Sequence, residues 1–252
     1  MKSEFNRYEE IGNWDFSSIK YITEQESSWD FYKEISKYAN SNSILLDLGT
    51  GGGEKVLKFM PDCKKIIATD FSPKMIETAN ENKKNYPNKN IAFKVMDNLN
   101  MTFEENTFDI VSARHTIIDA KQIYNSLKPG GVLIVEGVDK EDCIELKDLF
   151  GRGQAYTDKN PISKIDYDNI KNAGFKNIDL QKIVQYEYYE TKDDLLALLL
   201  KTPILDDFSE EENTDIHYPI IEEDILDKYI STHLTSKGIV LKRVLYGIVA
   251  KK

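Results

Sequence analysis

Residues 44–56 read ILLDLGTGGGEKV, and no other stretch constrains the fold of this chain as tightly. A short apolar run reaches Asp47, and Gly49, Gly51, Gly52 and Gly53 follow almost at once. A run this short, closed by glycine, predicts a buried strand. Glycine at the strand's end lets backbone approach a ligand closely, because no Cβ intervenes. A helix is predicted from Lys55 onward, and its first N–H groups have no partner inside the helix. A strand, a glycine turn and a helix in that order predict a site for a nucleotide-like cofactor.

The spacing narrows the ligand. A dinucleotide fingerprint needs G-x-G-x-x-G, and counting from Gly49 places Glu54 at the sixth position. A carboxylate there would face a pyrophosphate. The pattern present is D-x-G-x-G-x-G, formed by Asp47, Gly49, Gly51 and Gly53. An acidic residue at the strand's end suits a ligand with a cationic amino group better than a diphosphate.

Strands and helices then alternate. SILLDLG, KIIATD, IAFKVMD, FDIVSAR and VLIVEGV read as five strands, NIDLQKIVQYEYYE as a sixth and GIVLKRVLYGIVAKK as a seventh. Between them KVLKFMP, SPKMIETANENKKNY, KQIYNSLK and SKIDYDNIKNAG read as helices, the second with Ser72 as cap and Pro73 at its first position. This alternation predicts an α/β fold, a doubly wound and mostly parallel seven-stranded sheet covered on both faces. The last strand follows the sixth without a crossover helix and is expected to lie antiparallel at the sheet's end. Ahead of the first strand, helices are predicted over 15–23 and 27–39, the second capped by Ser27 or Ser28.

The expected organisation has four parts. Residues 1–40 form a helical cap segment, 41–138 the cofactor core and 139–161 an insertion on the active-site face. Residues 162–252 complete the core and carry a helical, acidic insertion at about 188–236. The net charge of −10 belongs mainly to that insertion. From Glu187 to Asp227 there are fourteen acidic residues against two lysines, and elsewhere 31 basic residues face 29 acidic ones. Acidity beside a site disfavours a polyanionic substrate. LLALLL falls far short of the ~20 apolar residues of a membrane span, and MKSEFNRYEEIG lacks the apolar block of a signal peptide. Cys63 and Cys143 have no metal-type spacing and read as reduced thiols. A cytoplasmic protein without metal or membrane partner is expected.

Two more strands end in acid: Asp70 in KIIATDFS and Asp97 in VMDNLNMTF. A carboxylate at the second tip can accept from both ribose hydroxyls. One at the third can accept from the exocyclic amine of adenine, with Phe71 and Met75 flanking the base.

Through LLDLGTGGG, IIATDFSPKMIETA, VMDNLNMTFEENTFDIV and YNSLKPGGVLIVEG, about residues 40–138, the chain resembles the class I S-adenosylmethionine (SAM)-dependent methyltransferases, which have a Rossmann-like fold. The resemblance implies SAM as cofactor and S-adenosylhomocysteine (SAH) as product. It places Asp47, Gly49, Thr50, Gly51 and Gly53 around the methionine part and Asp70 at the ribose. It places Phe71, Met75, Asp97 and Asn98 at adenine, and Ser112, Ala113 and Arg114 on the sulfonium side. Thr102 stands where such enzymes often have proline, and SARHTIID replaces a more common apolar stretch.

Methyl transfer is an in-line displacement with a good, neutral leaving group. The protein mostly supplies alignment and desolvation. His115 is the candidate base or acceptor contact, set against a structural histidine bonded to nearby backbone. Arg114 is set against a surface ion pair and would otherwise bind a carboxylate of SAM or acceptor. Asp119 either orients His115 or caps KQIYNSLK, and capping is favoured. Trp14, Tyr21, Trp29, Arg152, Tyr156 and Tyr188 are candidate acceptor contacts in a cap over the methyl group. An aromatic, leucine-rich cap suggests a small or medium-sized organic acceptor. The alternatives are an RNA base methyltransferase, a non-catalytic SAM-binding module and, opposed by Glu54, an NAD(P) oxidoreductase.

Overall fold

The computed structural model describes residues 16–205 and 221–252. Its strands are β1 (Tyr21–Gln25), β2 (Ile44–Leu48), β3 (Lys65–Asp70), β4 (Ile91–Val95), β5 (Phe108–Arg114), β6 (Leu127–Val138), β7 (Lys176–Tyr189), β8 (Leu234–Thr235) and β9 (Gly238–Lys251). The helices are α1 (Phe31–Ser36), α2 (Glu54–Phe59), α3 (Pro73–Lys83), α4 (Ala120–Ser126), α5 (Ile144–Phe150), α6 (Ile162–Ala173), α7 (Lys192–Lys201) and α8 (Glu223–His233).

One sheet runs in the order β1-β7-β9-β6-β5-β2-β3-β4, with β8 paired to β9. Strands β2 to β6 pair in parallel, and β9 is antiparallel to both β6 and β7. The chain moves outward from β2 through β3 to β4, then returns to β5 and β6 on the other side of β2. The strand order therefore reverses between β2 and β5, where ligands bind in open α/β sheets.

Three expectations are corrected here. The last strand is antiparallel, but it lies between β6 and β7 and not at the sheet's end. Its side chains explain the placement: Leu241, Val244, Leu245, Tyr246, Ile248 and Ala250 are buried on both faces of the sheet. A strand apolar on both sides needs a covered, central position. The second correction concerns 15–23, where a helix was expected and β1 forms instead. Tyr21 faces Tyr189, Thr23 faces Glu187 and Gln25 faces Gln185. The long β7 would otherwise leave an open edge, and pairing that edge outweighs a weak helical pattern. Strands β1 and β8 bring the sheet to nine strands. The helix expected over 27–39 shortens to α1, capped by the Asp30 side chain accepting from Lys33 N and not by Ser27 or Ser28.

Other local signals held. Ser72 caps α3 with Pro73 at its first position. Asp119 caps α4, accepting from the N–H groups of Lys121 and Gln122. Thr191 and Asp194, which open TKDDLLALLLKTP with the spacing of a capping pattern, form a reciprocal capping box on α7.

Three apolar clusters cover the sheet. One packs α4 and α6 on the face carrying Val111, Leu133 and Ile248. A second packs Trp29, Phe31 and Ile35 on the face carrying Ile110 and Ile134. The third joins Ile19, Leu146, Leu195, Leu199, Leu226 and Tyr189, so the N-terminal segment, the segment after β6 and the α7–α8 region share one core. Most leucines of LLALLL lie inside it. Among the described residues no helix is long and apolar enough to cross a membrane.

Candidate active site

The glycine turn follows β2 at the point where strand order reverses. Gly49, Gly51 and Gly53 have φ of 69°, 58° and 76°, a left-handed backbone that favours glycine. A Cβ on Gly49 would fall 2.5–2.8 Å from Thr116 side-chain atoms. Thr50 N donates to Thr69 O (2.9 Å), and Asn82 Nδ2 donates to Gly52 O (2.9 Å). The Glu54 carboxylate folds over Gly52 at the start of α2, which opposes a diphosphate.

Asp70 ends β3 and ties two turns together. Its Oδ2 accepts from Gly51 N (2.8 Å) and its Oδ1 from Ser72 N (3.0 Å). Burial raises its pKa, and those N–H groups pull it back down. Asp97 makes the turn after β4, accepting from Leu99 N (2.8 Å) and Asn100 Nδ2 (2.6 Å). Asn98 Nδ2 donates to Thr116 Oγ1 (3.0 Å), while its buried Oδ1 has no partner among the described residues. Phe71 is half-buried beside Asp70, whereas Met75 is 1% exposed inside α3.

One face of the sheet changes character along its strands. On β5 the residues facing one way are Ile110, Ser112 and Arg114, and on β6 they are Val132, Ile134 and Glu136. The apolar members sit in the core, and the polar ones gather at the carboxyl ends. Asp47 and Ser112 are cross-strand partners, and Ser112 Oγ donates to Asp47 Oδ1 at 2.6 Å. Burial pushes Asp47 up to about 7, opposed by Ser112, Thr50 and the charge of Arg114. Ala113, pointing the other way, is core.

Arg114 and Glu136 are the next cross-strand pair. Arg114 Nε donates to Glu136 Oε1 (2.7 Å), and Trp29 Nε1 donates to Glu136 Oε2 (2.8 Å). His115 follows with φ of 52°; its N–H donates to Glu136 O (2.8 Å), and its Nε2 lies 3.5 Å from Glu136 Oε1. Burial, then the charges of Arg114 and Arg243, hold the His115 imidazole well below 6.5. The ring is therefore neutral at pH 7.

A second buried charge cluster lies further along the same face. Arg243 donates from Nε and Nη2 to Asp142 (2.9–3.2 Å) and from Nη1 to Glu187 (3.2–3.4 Å). Tyr189 Oη donates to Glu187 Oε2 (2.6 Å), and Tyr21 stacks on Tyr189 at 5.2 Å.

The other proposed acceptor contacts scatter. Trp14 lies outside the described residues. Arg152 donates to Leu205 O (2.6 Å) and to Glu222 (3.1 Å), and Tyr156 donates to Asp148 (3.0 Å), so both join pieces of the third cluster's surroundings. Tyr188 alternates onto the sheet face opposite Glu187 and reaches Glu24 (3.3 Å). Sequence reasoning missed Glu136, Asp142, Glu187 and Arg243. The signal for Glu136 was present: a lone carboxylate inside VLIVEGV on a central strand must be paired.

Comparison with known proteins agrees with this fold. A methyltransferase-domain family model matches residues 39–192. The chain is 32% identical over 143 residues to a carboxy-S-adenosyl-L-methionine synthase of Hydrogenovibrio crunogenus, covering 49% of this chain and 56% of that protein. It is 29% identical over 120 residues to a ribosomal protein L11 methyltransferase of Listeria innocua, covering 45% and 38%. The chain thus spans about half the length, or less, of these curated relatives. The solved structure of YcgJ from Bacillus subtilis shares the fold, with a TM-score of 0.58 and 16% identity over 87% of this chain and 96% of that one. With its matched domain covering more than half of its length, the chain belongs to the class I SAM-dependent methyltransferase family, whose cofactor is S-adenosyl-L-methionine.

Proposed function

We propose that the protein transfers a methyl group from SAM to a small or medium-sized organic acceptor. The observation that carries this reading is the polar face of Asp47, Ser112, Arg114 and Glu136 beside the glycine turn. It adjoins the segments that share the third apolar cluster. The residues fit the cofactor: the left-handed turn gives close backbone approach, Asp47 suits an amino group, and the Glu54 carboxylate disfavours a diphosphate. Asp47, Gly49, Thr50, Gly51 and Gly53 would hold the amino-acid end, Asp70 the ribose, and Phe71, Asp97 and Asn98 the adenine. The cofactor supplies an electrophilic methyl on a sulfonium when bound.

The chain's own residues then align the acceptor and exclude water. The His115 imidazole, neutral at pH 7, would take a proton from an acceptor that carries one. Tyr21, exposed and stacked on Tyr189, offers aromatic surface on the same side, whereas Trp29 is buried in the core over Gly247 and is not an acceptor contact.

Long nucleic acid is a weaker partner. Of the lysines on this side of the chain, Lys74 pairs with Glu77, Lys84 with Glu81 and Lys89 with Asp62.

Calorimetric titration with SAM, SAH and NAD, alongside Asp70→Ala, tests the cofactor half. SAM and SAH should bind, NAD should not, and Asp70→Ala should abolish binding. Transfer of labelled methyl to a panel of small acceptors tests the second half. Binding of NAD without SAM overturns the reading; SAH binding without any labelled product under saturating acceptor panels favours a non-catalytic module.

A further inference from the structure

Two arginines stand on the site face of the sheet, and their hydrogen bonding differs. Arg243 is saturated: its Nε, Nη1 and Nη2 all donate to Asp142 or Glu187. Arg114 donates only through Nε, to Glu136 Oε1. Among the described residues nothing accepts from its two Nη groups, although its side chain is only 35% exposed. The lack of a partner is not for want of carboxylates nearby. Arg114 lies on the same face of β5 as Ser112, which bonds Asp47 beside the glycine turn, and its charge acts on Asp47 and on Tyr21.

Glu136 explains how the fork stays open. Its Oε2 is held by Trp29 Nε1, so only Oε1 reaches Arg114, and it does so at Nε. That fixes the plane of the guanidinium while leaving its outer edge free. A planar pair of N–H donors matches a carboxylate in a bidentate way. The buried Glu136 beside it, and Glu187 further along, disfavour a second negative charge on the ligand, which argues against a phosphate dianion.

We propose that Arg114 is a specificity residue that captures a carboxylate on the acceptor, with Glu136 as its positioning residue. This rests on the methyl-transfer reading above. A carboxylate beside the glycine turn has two sources, the acceptor and the amino-acid end of the cofactor, and the test separates them.

The full chain is first saturated with SAH, whose binding by the wild type checks the methyltransferase reading by itself. Benzoate, benzamide and inorganic phosphate are then titrated into the complex by calorimetry. Benzoate is expected to bind, benzamide to bind about tenfold or more weakly, and phosphate to give no signal. Arg114→Met should abolish benzoate binding at saturating SAH, and any change in SAH affinity should be shared by decarboxylated SAH. Arg114→Lys, which keeps the charge without the fork, should weaken benzoate about tenfold, and thermal melts confirm that both variants fold. The proposal fails if SAH binds but benzoate does not, if benzamide or phosphate binds as well as benzoate, or if Arg114→Met leaves benzoate unchanged. It also fails if Arg114→Met weakens SAH tenfold but leaves decarboxylated SAH unaffected, because the captured carboxylate is then the cofactor's.

Discussion

Trp29 Nε1 donates to Glu136 Oε2 at 2.8 Å across 107 residues of sequence. The same indole packs flat against Gly247 on β9, where a Cβ would collide with its ring atoms. One side chain thus fixes the N-terminal segment to two central strands and orients the carboxylate that holds Arg114.

Trp29→Phe keeps most of the apolar contact and removes the N–H. Glu136 Oε2 is then buried without a donor, and a loss of about 1–3 kcal/mol is expected. Gly247→Ala attacks the same contact from the other side by displacing the ring. Chemical denaturation of the two single variants and the double variant measures their coupling. Strictly additive losses would mean that the indole and Gly247 act independently.

Burial raises Asp47 from the ordinary 3.8 to about 7. The folded state therefore holds this proton more tightly than the unfolded chain does. The stability that follows is fully present below about pH 4 and is lost as pH rises toward 7. Asp47→Asn removes that dependence. The stability of wild type relative to the variant should fall by up to about 4 kcal/mol between pH ~4 and ~8. Denaturant midpoints of the ligand-free proteins across that range report it, and parallel profiles would refute it. SAH should offset the loss, because its ammonium group favours the ionised carboxylate.

His115 combines a left-handed backbone with a lowered pKa. His115→Asn tolerates that backbone and lacks the imidazole, so folding should be kept and turnover should drop about 10²-fold or more. The wild-type imidazole stays neutral as pH falls through 6.5, so turnover should hold between pH 7.5 and 6. Full activity in His115→Asn would remove the histidine from the reaction, whereas a wild-type acid limb centred near 6.5 under saturating SAM would overturn the lowered pKa.

Gly49→Ala places a side chain at φ of 69° and against Thr116. A loss of about 2–3 kcal/mol is expected, with weaker SAH binding. Thr116→Gly relieves the collision but also removes the Asn98 hydrogen bond, so the double variant is compared with Thr116→Gly alone. In that background Gly49→Ala should cost only the backbone strain, about 1 kcal/mol, and an undiminished loss would place the cost elsewhere.

What could be read along the chain was local in origin. Asp47 with its glycines, Asp70 before Ser72 and Pro73, and the capping residues Asp119 and Thr191 all act within a few residues of themselves. Their consequences follow from strand period, φ preference and cap chemistry, so they are written in order. The family resemblance in residues 40–138 rests on the same local units.

Tertiary structure decided everything that depends on which strand lies beside which. YITEQ carries no strong signal until β7 presents an unpaired edge, and β9 finds its place only because both of its faces must be covered. Tyr188 and Tyr189 are adjacent in sequence, yet alternation sends one to solvent beside Glu24 and the other to the buried carboxylate of Glu187. Glu136 becomes a meeting point because Arg114 and His115 reach it from the end of β5 and Trp29 from the N-terminal segment. Propensity and period act between near neighbours, whereas the pairing of a buried charge is a long-range requirement, and only the assembled sheet shows which residues meet it.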